Sequence, residues 1–181
     1  MGDTTVLTFV TGGSRSGKSD FAQTRAEEHA TLRSCTPVYF ATAEALDTEM
    51  VERIALHREG RGERWQTVEV PVDPASELGK IEPGSVVVLD CITLWVSNLM
   101  GSGLADAEIM ERATAFLSTC TAVVESGSSV FLVSNEVGSG IVPDNPVSRR
   151  FRDLAGKINA AAAEAADEAY MIVAGLPLKL K

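Results

Sequence analysis

Histidine, cysteine and positive charge are all in short supply in this chain. Two histidines and three cysteines occur among 181 residues, and 16 lysines and arginines stand against 25 acids, for a net charge of −9. That balance excludes a general nucleic-acid binder or a protein that coats anionic membranes, since both draw on broad basic surfaces. Any basic site must be local. The cysteines, Cys35, Cys91 and Cys120, are odd in number and lack the paired spacing of a zinc site or a redox pair. They read as reduced core residues of a cytoplasmic protein. Long apolar runs are missing too: nothing approaches the roughly 18 residues that span a bilayer, and the opening MGDTTVLTFVTGG has no basic leader region. The expectation is a soluble, cytoplasmic protein with no membrane span.

With 45% hydrophobic and 23% charged residues, the composition is that of an ordinary globular chain, and the length suits one domain over residues 1–181. Short β-branched or apolar runs recur at residues 5–10, 37–42, 85–90, 129–135 and 170–175, and the closing LPLKLK suggests an edge strand. Helical patterns lie between them at 18–32, 45–58, 105–125 and 146–166. Apolar strands alternating with helices predict an α/β fold whose mostly parallel sheet is covered by helices on both faces. Two stretches read as connections: EVPVDPASELGKIEPGS (69–85), with three prolines, and the glycine-rich MGSGLADAE (100–108).

Ligands in such sheets bind beyond the carboxyl ends of the strands, so the residues that follow each run carry the chemistry. After the first run comes GGSRSGKS, residues 12–19, which fits G-x-x-x-x-G-K-[ST] between a strand and a helix. Gly12, Gly13 and Gly17 let the backbone turn its N–H groups around Ser14, Arg15 and Ser16 toward a phosphate. The following helix adds its positive end, Lys18 reaches phosphate oxygens and Ser19 can hold Mg²⁺. This is a P-loop, and the expectation is a P-loop NTPase fold, of RecA-like form. Asp90, at the end of a very apolar run, is a second metal candidate, directly or through water. Its competing role is an N-cap for whatever follows. SNEVGSGIVPDN, from Ser134, supplies a third strand end, with Gly138 and Gly140 letting the loop approach a ligand closely. Arg149, Arg150 and Arg152 fit an exposed helix face paired with Asp153, or else a contact to substrate. His29 reads as a solvated helix residue.

The other histidine, His57, sits in RIALHREGRGERW among Arg53, Arg58, Arg61 and Arg64. Basic side chains gather at helix C-termini for electrostatic reasons alone, so a helix end and an anion site both fit this window. Met50, Arg53, Ile54 and His57 share one helical face by spacing.

Taken together, VTGGSRSGKS, YFAT, DTEMVERIALHREGR, LDCITLWVSNL and SNEVGSGIVPDNPVSRRFRDLAGKIN resemble, in order and from about Val6 to the C-terminus, the bifunctional adenosylcobinamide kinase / adenosylcobinamide-phosphate guanylyltransferase family. The resemblance implies a homotrimeric α/β enzyme that phosphorylates adenosylcobinamide with ATP or GTP. It then transfers GMP from GTP through a guanylylated histidine, giving adenosylcobinamide-GDP. The matching histidine is His57, preceded by Leu56 where relatives often carry a second histidine. Nucleotide contacts carried over from the family fall on Gly12 through Ser19, on Thr42, Ala43 and Glu44, on Arg61, Gly62, Glu63 and Arg64, on Glu69 and on Asp90, a position that is Glu in some members. The physical reading agrees. A neutral imidazole is a nucleophile, and neighbouring arginines disfavour its protonation while attracting a triphosphate. Competing readings are a P-loop small-molecule kinase that makes no covalent GMP, and a GTP-dependent regulatory module.

Overall fold

The computed structural model describes residues 5–44, 48, 50–52, 55, 59 and 62–181, with the side chain of residue 63 left aside. Seven strands form one sheet: β1 (Leu7–Gly12), β2 (Val38–Ala41), β3 (Gln66–Glu69), β4 (Val86–Asp90), β5 (Ser129–Asn135), β6 (Glu168–Val173) and β7 (Leu176–Lys179). Their order is β3-β2-β4-β5-β1-β6-β7, parallel throughout except for the antiparallel β6–β7 hairpin. The central strands β1, β4 and β5 are buried along nearly their whole length. That explains their unbroken apolar character, since a strand covered on both faces has no solvent side to mark with polar residues.

Helix α1 (Lys18–Arg33) covers one face, burying Ala22, Ala26 and Ala30 at a four-residue spacing against Val10, Val86, Val88, Phe131 and Val133. Small side chains on that stripe bring the helix close to the sheet. The opposite face carries the larger core, where α2 (Pro74–Leu78), α3 (Ile92–Gly101), α4 (Asp106–Glu125) and α5 (Pro146–Ala165) enclose Trp95, Phe116, Ile109, Leu154 and Ile158. Asn145 caps α5 by accepting from the Ser148 amide at 2.7 Å, and Pro146 occupies the first turn.

The stretch 69–85, expected as a plain connection, contains the end of β3 and the short helix α2, started by Asp73 accepting from Ser76 N–H. Helix α3 was not anticipated; five of its ten residues are buried and the others include Leu94 and Met100, so apolar side chains spread beyond the buried face and weaken the amphipathic signal. The closing residues do form an edge strand. The expected helix 45–58 falls largely outside the described residues, although 48, 50–52, 55 and 59 are helical. His29 corrects its solvated reading: its Nδ1 lies 3.2 Å from Ser129 Oγ and its ring stands edge-on to Phe131, because α1 packs tightly enough to press it onto β5. Asp153 is likewise not the partner found for the α5 arginines: Arg150 pairs with Asp106 across to α4, Arg149 donates to Pro143 O and Asp144 O, and Arg152 to Gly138 O.

Candidate active site

The cradle forms where β1 ends. Gly12 has no room for a side chain: a Cβ there would meet Ile172 O and Ser16 Oγ, each at 2.6 Å. Ser16 Oγ is itself enclosed with no hydrogen-bond partner among the described residues. The loop closes through Ser16 N–H to Gly13 O at 3.3 Å, and β6–β7 braces it from outside, Gly175 N–H donating to Ser16 O at 2.9 Å. Gly17 precedes α1 with φ 93°, a left-handed conformation that favours glycine. Gly13, Ser14 and Arg15 are exposed, Ser19 is half-buried in the first turn of α1, and Lys18 is buried, its Nζ donating to Gly13 O at 3.0 Å. A buried lysine folded back over the loop it follows sits where an anion would be held by the loop's N–H groups.

Asp90 ends β4, two strands from β1 and thus about 10 Å across the sheet. It does not cap α3; Cys91 holds that position. Instead its Oδ2 accepts from Tyr39 OH at 2.8 Å, while Oδ1 receives no hydrogen bond among the described residues. The thiol of Cys91, next along the chain, is buried and lies 3.1 Å from Thr93 Oγ1. Burial and then Asp90 push its pKa up to about 11, against lowering hydrogen bonds with Thr93 and the Leu94 backbone and a smaller pull from Lys18.

Behind this front lies a closed polar network. Thr42, fully buried after β2, donates its hydroxyl to Cys91 O at 2.8 Å and accepts from Cys91 N–H at 2.7 Å. Asn98 on α3 donates to Thr42 O and Pro71 O. Asn135, at the end of β5, donates to Thr93 Oγ1 at 2.7 Å, and its own carbonyl accepts from Asn159. Thr93, Asn98 and Asn159 were not singled out from the sequence; the signal available was polar side chains inside otherwise apolar helical runs.

The structure thus gathers Gly12 through Ser19, Thr42 and Asp90 at the carboxyl end of the sheet, with half-buried Ala43 and Glu44 directly after Thr42. Glu69 ends β3 at the same level, in register with Ala41. Arg64 is not gathered there. It follows exposed Gly62 in a 3₁₀ turn before β3, and lines a shallow groove on α1 with Thr24, Glu27 and Thr31, toward the amino end of the sheet. His57 and Arg61 lie outside the described residues, as does the side chain of Glu63. Nearby Trp65 is firmly placed: it is buried, donates from Nε1 to Glu27 Oε1 at 2.9 Å and stands edge-on to Tyr39.

Hard oxygen donors at Ser19 and Asp90 suit Mg²⁺, which takes few protein ligands and completes its shell with phosphate and water. Among the described residues no cluster of three His, Cys, Asp or Glu side chains forms a dedicated metal cage. None of the described helices is long and apolar enough to cross a membrane.

A structure similar to this one is that of the flagellar accessory protein FlaH from Methanocaldococcus jannaschii, with a TM-score of 0.52 at 11% identity, over 97% of this chain and 78% of that one. With the cradle after β1, this establishes the P-loop NTPase fold. In sequence, the chain is 38% identical over 187 residues to the bifunctional adenosylcobalamin biosynthesis protein CobU of Escherichia coli K12, covering 97% of this chain and all of that one. It is 40% identical over 174 residues to the bifunctional adenosylcobalamin biosynthesis protein CobP of Pseudomonas aeruginosa, covering 96% of each. Residues 8–180 match the family model for cobinamide kinase / cobinamide phosphate guanyltransferase, and the chain belongs to that family.

Proposed function

We propose that this chain carries out both reactions of its family in succession, as a cytoplasmic homotrimer with one cradle serving both. In the first, the aminopropanol hydroxyl of adenosylcobinamide takes the γ-phosphoryl group of ATP or GTP. In the second, GMP passes from GTP to the new phosphate. The observation that carries this reading is the buried Lys18 folded over its own P-loop, with Asp90 at the same carboxyl end of the sheet two strands away.

Phosphoryl transfer depends mainly on positioning and on neutralising charge, so the cradle can serve it without a dedicated base. The loop N–H groups fix the phosphates and Lys18 offsets charge on the leaving group. Bound Mg²⁺, held by Ser19 and Asp90, would supply further neutralisation of the phosphates. For guanylyl transfer, an imidazole nitrogen of His57 attacks the α-phosphorus of GTP, and the bond from that phosphorus to the bridging oxygen breaks to release pyrophosphate. A phosphate oxygen of the corrinoid then attacks the same phosphorus; the P–N bond breaks and the histidine is restored. Splitting the transfer in two is covalent catalysis, and its signature is a trappable intermediate.

Intact mass after incubation with GTP and Mg²⁺, quenched in alkali, tests this directly. A GMP-sized adduct is expected on the wild type and not on His57→Ala, while His57→Ala keeps much of its kinase activity. Lys18→Ala should lower both reactions by about 10²-fold or more. GTP-bound, folded wild type without an adduct would leave the plain kinase reading in place; GTP binding with no corrinoid dependence would favour a regulatory module.

A further inference from the structure

The loop 136–145 between β5 and α5 combines a pinned backbone with bare apolar side chains. It leaves directly from the cradle: Asn135 is in register with Gly12, and Glu136 N–H donates to Gly12 O at 3.0 Å. Glu136 Oε1 then accepts from Gly138 N–H at 2.6 Å, which folds the start of the loop back on itself. Arg152 ties down Gly138 O at 2.6 Å, and Arg149 holds Pro143 O and Asp144 O. Between these fastenings Ile141 is 97% exposed and Val142 60%.

A loop that is merely surplus gains nothing from five such fastenings, and apolar side chains contribute little when left in water. A fastened loop that starts from a phosphate site and offers apolar surface five residues further along is organised in advance for a ligand with a phosphate-reactive end and a broad, partly apolar body. Of the substrates under the function proposed above, on which this inference rests, only the corrinoid has such a body: a macrocycle edged with methyl groups and amides, whose reacting hydroxyl hangs on a short arm. We infer that the 136–145 loop, through Ile141 and Val142, is the platform on which the corrinoid lies while its arm reaches the cradle. The same platform would then serve the phosphorylated corrinoid in the second reaction.

The test is steady-state kinase kinetics with adenosylcobinamide and ATP, each varied in turn, on the wild type and on the double variant Ile141→Ser/Val142→Ser. The expected result is a KM for adenosylcobinamide raised about tenfold, with the KM for ATP within about twofold, as two branched side chains stop covering apolar ligand surface. Ile141→Val/Val142→Ile should restore the KM. An unchanged corrinoid KM, or equal shifts in both KM values, overturns the inference. A changed sedimentation coefficient with kinetics intact also overturns it, and assigns the face to a second copy of the chain. Hydrogen exchange of wild-type amides 137–144 with and without adenosylcobinamide decides the matter should the variant not fold: slowed exchange supports the platform, unchanged exchange overturns it. Wild type that turns over no corrinoid at all would instead refute the function, a separate outcome.

Discussion

Thr42 shows how one hydroxyl can set a site. Its oxygen satisfies the buried amide of Cys91 and its proton goes to the carbonyl of the same residue, so the end of β2 is tied to the residue that follows Asp90. Thr42→Val keeps the shape but leaves the Cys91 N–H enclosed without an acceptor, at a cost of about 1–3 kcal/mol. Urea denaturation should show that loss, and Thr42→Ser should recover most of it. Nucleotide affinity should fall with the valine variant, since Asp90 shares the displaced backbone. The cradle glycines and Lys18 were readable in the sequence because a phosphate loop needs those residue types at fixed spacing. Thr42 entered only through the family likeness, and Thr93, Asn98 and Asn159 not at all: a hydrogen-bond network between distant segments has no local pattern.

Among the elements, the sheet was legible wherever burial wrote a simple pattern. β1, β4 and β5 announced themselves as unbroken apolar runs, whereas β3 is a four-residue edge strand with three exposed positions and reads like a loop. α3 was hidden for the opposite reason, its apolar residues extending past the face it buries. The strongest fixture at that edge is Trp65, which enters β3 gripped by Glu27 and Tyr39. Trp65→Ala should destabilise the fold by about 3–5 kcal/mol in a denaturant titration. In whatever fraction stays folded, guanylyl transfer should suffer more than kinase activity, because the residues leading back to His57 lose their mooring while the cradle keeps its own. The ratio of the two activities at a temperature where the variant is folded checks this.

For the molecule as a whole, the thiols give a direct readout of the core. Burial holds the Cys91 pKa at about 11 and raises that of Cys120 as well, while Cys35 is half-buried. With native protein near pH 8, a thiol reagent should therefore label Cys35 quickly and the other two only on unfolding. The sign of the pH effect follows. Unfolded thiols ionise from about pH 8.5, so the stability held by a neutral Cys91 is complete below that point and is lost as pH rises toward 11. Thermal melts from pH 8 to 11 should show a falling midpoint, less steep in Cys91→Ser. Thr42 at the carboxyl end of the sheet and Trp65 at the amino end are both buried, so the segment that carries His57 in the sequence is anchored in the core on either side. Under the function proposed above, the nucleophile belongs to the same chain as the cradle, so its attack on bound GTP would be an intramolecular step with a high effective concentration.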